Sequence, residues 1–80
     1  MTRNRFDLLS IYDRAKTTWD EGEFIASREY YNHRVGLYAL KGFFVEVHYL
    51  PDSNEIDQIH SVKDENVLNL YIDSIPLQDF

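Results

Sequence analysis

The chain contains no cysteine, only three glycines and two prolines, and no long apolar run. Without cysteine there is no disulfide framework, no thiolate zinc ribbon and no thiol nucleophile, and a reducing compartment suits the sequence. Three glycines leave no phosphate-cradling loop, so neither a P-loop nor a dinucleotide-binding turn is present. None of Ser10, Ser27, Ser53, Ser61 and Ser74 sits in G-x-S-x-G. No segment approaches the ~18–20 apolar residues of a membrane span. Arg3 and Arg5 have no apolar stretch behind them, so no signal peptide is expected. Cytoplasmic location without membrane contact is the resulting expectation.

Basic charge is also scarce. Eight Lys and Arg face 14 Asp and Glu, a net charge of −6. Nucleic-acid binders need a basic footprint that displaces counterions, so a nucleic-acid partner is not expected. The imbalance is uneven. Residues 1–41 hold seven bases and six acids, a net of +1, whereas residues 42–80 hold one base, Lys63, and eight acids, a net of −7. An acidic half can steer a basic partner into contact. It can also do no more than keep a small protein soluble.

What the chain does have is apolar and aromatic content, 44% and 15% of its 80 residues. That composition folds, and its length allows one domain, residues 1–80. Leu8, Ile11, Tyr12, Ala15 and Trp19 recur on one helical face, which predicts a helix over about 4–20, widened by Phe6 and Leu9. Asn4 is the expected N-cap and Gly22 the stop. From Phe24 the period falls to two. Four strands are predicted at about 24–31, 33–39, 43–50 and 55–62. A three-residue Leu40-Lys41-Gly42 loop would pair Leu37 with Val45 and Val35 with Val47. A two-residue turn would set Leu37 opposite Glu46, and hydrophobic pattern argues against it. The first turn, near Tyr31-Asn32-His33, leaves the first strand's register open. Ile56 and Ile59 are three apart, which calls for a bulge near Asp57-Gln58 or leaves one isoleucine outside the core. A second helix is predicted over 64–74, capped by Asp64 and ended by Pro76. The expected fold is α+β, ordered α-β-β-β-β-α, with a four-stranded antiparallel meander and two helices packed on one face. Its core would hold Leu8, Ile11, Ala15, Trp19, Val35, Leu37, Val45, Val47, Val67, Leu68, Tyr71 and Ile72.

The other face would then carry Tyr31, Arg34, Tyr38, Phe44, Glu46 and His48. Aromatic residues and Arg are enriched at interfaces, and an exposed apolar patch often marks one. The leading expectation is therefore a non-enzymatic protein–protein interaction module acting through this face, on a protein partner or on itself as a homodimer. The alternative is an acidic inhibitor or immunity-type protein that meets a basic partner through Asp52, Glu55, Asp57, Asp64 and Glu65. A third reading is a small metal-dependent enzyme. Glu46, His48 and His60 would share a side of the sheet, and two imidazoles with one carboxylate suit zinc, iron or acid–base work. No HExxH or other metal spacing supports it, so neither catalysis nor a metal or other cofactor is expected.

The stretch Phe24-Ile25-Ala26-Ser27-Arg28-Glu29-Tyr30-Tyr31, then Val35-Gly36-Leu37-Tyr38-Ala39-Leu40, then Gly42-Phe43-Phe44-Val45-Glu46-Val47, resembles small uncharacterised bacterial proteins of about 80 residues. The resemblance spans most of the chain and includes no catalytic motif. It implies a bacterial cytoplasmic setting and no activity.

Overall fold

Two hydroxyl side chains decide where the first helices begin. Thr2 Oγ1 accepts the Arg5 N–H at 3.2 Å and opens α1, Arg3–Asp7; Ser10 Oγ accepts the Asp13 N–H at 3.2 Å and opens α2, Ile11–Glu21. In the computed structural model, which describes residues 1–63 and 65–72, the predicted single helix is thus broken at Leu8–Ser10, and Thr2 replaces Asn4 as the cap. The break turns the apolar stripe. Phe6 is fully buried, while Leu8, expected in the core, is 86% exposed. Gly22 ends α2 as expected, its N–H reaching the Thr18 carbonyl at 2.9 Å. Arg14 ties the break to the sheet: Nη2 donates to the Asp7 carbonyl at 2.6 Å and Nη1 to the Ile59 carbonyl at 2.8 Å.

Strands β1 (Glu23–Tyr30), β2 (His33–Leu40), β3 (Phe43–Tyr49) and β4 (Ile56–Val62) form one antiparallel sheet in chain order. A 3₁₀ helix, Glu65–Tyr71, follows within the predicted second helix. Asp64 as its cap, Pro76 as its stop and the tail from Leu77 to Phe80 lie outside the described residues. The α+β class and the four-stranded antiparallel meander agree with the sequence reading.

The β2–β3 register does not. The turn is Lys41-Gly42, with Gly42 at φ +93°, and Leu40 pairs with Phe43, Leu37 with Glu46 and Val35 with His48. This one-residue change divides the expected core between two faces. Val45, Val47, Leu40 and Phe43 gather with Phe6 and Ile59, beneath α1 and α2. Leu37 and Ala26 gather with Val67 and Tyr71, beneath the 3₁₀ helix. The helices therefore cover opposite faces instead of one. Both faces of the sheet are apolar enough to need a cover, and an 80-residue chain provides one for each. Ile11, Trp19 and Ile72, also expected in the core, are exposed.

Two bulges adjust the outer strands. In β4 the register skips Asp57, which sets both Ile56 and Ile59 against the α-side core, as the bulge reading requires. In β1 it skips Ile25, so Phe24 pairs with Tyr38 on the α side while Ala26 pairs with Leu37 on the other. The first hairpin is a two-residue turn, Tyr31-Asn32, with φ +48° and +67°. That left-handed pair suits the strand twist, and Asn accepts it readily where Tyr does not. Tyr31→Asn is expected to raise stability by about 0.5–1 kcal/mol. Urea unfolding checks it; a lowered midpoint would mean that the Tyr30–Tyr31 ring contact, 4.5 Å between centroids, outweighs the backbone relief.

Candidate functional site

The register just described puts a carboxylate inside the protein. Glu46, in the middle of β3, is 6% exposed. Strand pairing sets Leu37 on one side of it and His60 on the other. Four polar side chains surround it under the 3₁₀ helix. Arg28 Nη2, from β1, donates to Oε2 at 3.1 Å. The Tyr71 hydroxyl, from the 3₁₀ helix, donates to the same oxygen. His60 Nε2, from β4, donates to Oε1 at 3.2 Å. His48, two residues along β3, sets its ring edge-on to that of His60 at 5.0 Å and 74°.

The electrostatics follow from burial. Burial alone lowers the Arg28 pKa, but hydrogen bonds to Tyr71 and Glu46 outweigh it and the net direction is upward. Burial, then the bond to Glu46, pushes the Tyr71 phenol up, so it stays a donor. Burial, reinforced by His60, lowers the His48 pKa and favours the neutral imidazole. His48 is 7% exposed and its Nε2 is buried without a hydrogen-bond partner. Leaving such a group unpaired costs about 1–3 kcal/mol. His48 also borders a hollow of about 140 Å³ lined by Tyr30, Tyr31, His33 and Gln58.

The opposite face holds a groove. Tyr38 stands at its centre, with the Phe24 ring edge-on at 5.5 Å and the Trp19 ring edge-on at 5.2 Å. Phe24, Tyr38, Tyr49, Arg34 and Asn54 line a cavity of about 430 Å³. Gly36 forms part of its floor, where an added Cβ would come within 3.2 Å of the Tyr38 ring. Burial, then the Tyr49 hydroxyl, pushes the Tyr38 phenol up to about 12, so Tyr38 is a neutral hydroxyl in the groove.

The six residues expected on one outer face are thus separated. Arg34 and Tyr38 lie on the α side, in the groove. Glu46 and His48 lie buried on the other side, and Phe44, half-buried, packs against the core there. Tyr31 is at the tip of the first hairpin. The slip of one residue in the β2–β3 turn accounts for the split. The Glu46–His48–His60 cluster survives it because all three lie on β3 and β4, where Glu46 pairs directly with His60, and they share a side of the sheet as expected. Of the acidic residues, Asp52 and Glu55 stand exposed at the β3–β4 turn, and Asp57 Oδ2 approaches His33 Nε2 at 3.4 Å. Asp64 and the Glu65 side chain lie outside what is described. The sequence reading missed Arg28 and the polar use of Tyr71. It also placed Trp19 in the core and left Tyr49 out of the site. A charged residue inside an otherwise half-apolar strand was the one local sign of Arg28.

Among the described residues, no helix is long and apolar enough to cross a membrane. Set against protein-family models, curated proteins and solved structures, the chain matches none.

Proposed function

We propose that this chain is a non-enzymatic protein-binding module whose docking surface is the aromatic groove on the α side of the sheet. The observation that carries this reading is the Trp19–Tyr38–Phe24 row. Tyr38 stands in edge contact with each of the other two rings, and Trp19 is 47% and Phe24 56% exposed. Stiff aromatic side chains give up little conformational freedom when a partner covers them. Covering a half-exposed ring of this size yields about 1 kcal/mol. Arg34 stands at the same groove without an ion-pair partner among the described residues, and so offers a carboxylate on the partner a direct contact. The hydroxyls of Tyr38 and Tyr49 add polar contacts that fix orientation. The partner segment this surface suits is therefore apolar with an adjacent acidic residue. A second copy of the chain is the homodimer version of the same reading.

Trp19 is the sole tryptophan and reports directly on the groove. Wild type, Phe24→Ser and Arg34→Glu are compared as immobilised bait in a lysate of the source organism, and by light scattering across a wide concentration range. Both substitutions alter exposed side chains, so the fold is expected to persist. A partner retained by wild type, blue-shifting the Trp19 emission and lost by at least ~10-fold with each variant, supports the reading. A dimer lost in the same two variants supports its homodimer form. A monomer whose bound proteins are unchanged by either substitution refutes both.

A further inference from the structure

We propose that Glu46, His48 and His60 bind one divalent transition-metal ion, Zn²⁺ in preference to Mg²⁺ or Ca²⁺. This site lies on the opposite face of the sheet from the aromatic groove, and the proposal does not depend on the binding-module reading. One ligand atom from each of the three residues lies within 4.8 Å of the others. Glu46 Oε1 and His60 Nε2 are 3.2 Å apart. Two ligand atoms on a tetrahedral ion with bonds of about 2.0–2.1 Å are separated by about 3.3 Å, so this pair already has the spacing of neighbouring ligands. His48 supplies the third donor. It is nine-tenths buried, its Nε2 has no hydrogen-bond partner, and its ring lies edge-on to that of His60 at 5.0 Å.

The surroundings are those of a held ligand set. Arg28 and Tyr71 both bind Glu46 Oε2, which orients the carboxylate and leaves Oε1 turned toward His60. An ion takes the place of the proton that lies between His60 Nε2 and Oε1, and the ring then ligates through Nε2 with its proton on Nδ1. His60, with 41% of its side chain exposed, is the open side of the cluster and gives an ion a way in. Two imidazoles and one carboxylate favour zinc and its transition-metal neighbours over the hard cations, which prefer all-oxygen sets. The Arg28 charge on Oε2 weakens the site relative to a structural zinc centre, so chelators are expected to empty it without unfolding the chain.

The test uses the full chain purified without a histidine tag and stripped with chelator. Zn²⁺ alone is titrated by calorimetry, and Co²⁺ is added separately to read ligand-field absorption in the visible. The expected result is one ion per chain, with binding weakened at least ~10-fold by His60→Ala and by His48→Ala. His60 is partly exposed, so His60→Ala retains the fold even if His48→Ala does not. His33→Ala is the comparison. That ring's Nδ1 donates to the Tyr31 carbonyl and its Nε2 faces Asp57. No Zn²⁺ binding at one per chain overturns the proposal. So does a loss in His33→Ala equal to that in His60→Ala, which marks capture by surface histidines.

Discussion

Replacing Glu46 by alanine is expected to destabilise the protein by about 3–5 kcal/mol, most of what a domain of this size possesses. The carboxylate faces the Arg28 guanidinium, whose side chain is only 17% exposed, and it accepts the Tyr71 hydroxyl. Removing it leaves a largely buried cation without a counter-charge and a buried phenol without an acceptor. Glu46→Gln keeps the shape and an acceptor for Tyr71 but removes the charge, and it is expected to fall between alanine and wild type. The double variant Arg28→Met with Glu46→Leu removes both charges and should recover most of the loss, because the penalty comes from the unmatched charge more than from a missing attraction. Urea unfolding of the four proteins decides it. A loss below about 1 kcal/mol for Glu46→Ala would mean that water reaches the pair and screens it.

The second large effect is expected at Phe6. Phe6→Ala should cost about 3–5 kcal/mol, the usual range for emptying a fully buried phenylalanine site. α1 has five residues and cannot stand alone as a helix. It holds its place because the Phe6 ring meets Phe43 at 5.7 Å and joins Val45, Val47 and Ile59. Arg14 on the Asp7 carbonyl and Ser61 on Asp7 Oδ1, at 2.6 Å each, secure the end of the helix. Leu8→Ala, two residues on and almost wholly exposed, is the control and should change stability by less than about 0.5 kcal/mol. Equal effects at the two positions would restore the uninterrupted helix, with Leu8 inward, that apolar periodicity alone suggests.

Those two sites also mark how far local pattern carries. Strand positions and the four hairpin-connected strands were legible because alternation and turn residues are local signals, and the Ile56–Ile59 spacing left the β4 bulge as one of two readings. The helix break was legible too, had more weight been given to Ser10-Ile11-Tyr12-Asp13, an [ST]-x-x-[DE] start signal inside the apolar stripe. The β2–β3 register was not. A glutamate opposite Leu37 looks wrong on an apolar face, and it becomes acceptable only through Arg28 and Tyr71, which lie 18 and 25 residues away. A pattern rule that treats a charge as an outward position fails wherever distant residues neutralise it. The same error merged two apolar faces into one and joined Tyr38 to His48 on a surface that does not exist. The three ligand candidates escaped it because strand pairing between β3 and β4 is enough to bring them together.

The identity of sheet order and chain order has a kinetic side. Every strand finds its partner through a short loop, so the three hairpins close with little loss of chain freedom and need no distant element to start. The polar cluster has a different history. Arg28 and Glu46 are brought together when β1, β2 and β3 zip, while the Tyr71 side chain reaches them only when the 3₁₀ helix, later in the chain, docks over them. Chain order therefore predicts a pair that is wet before it is dry. The ion pair forms first in water, where charges are cheap to bring together, and loses its solvent only when the last cover arrives.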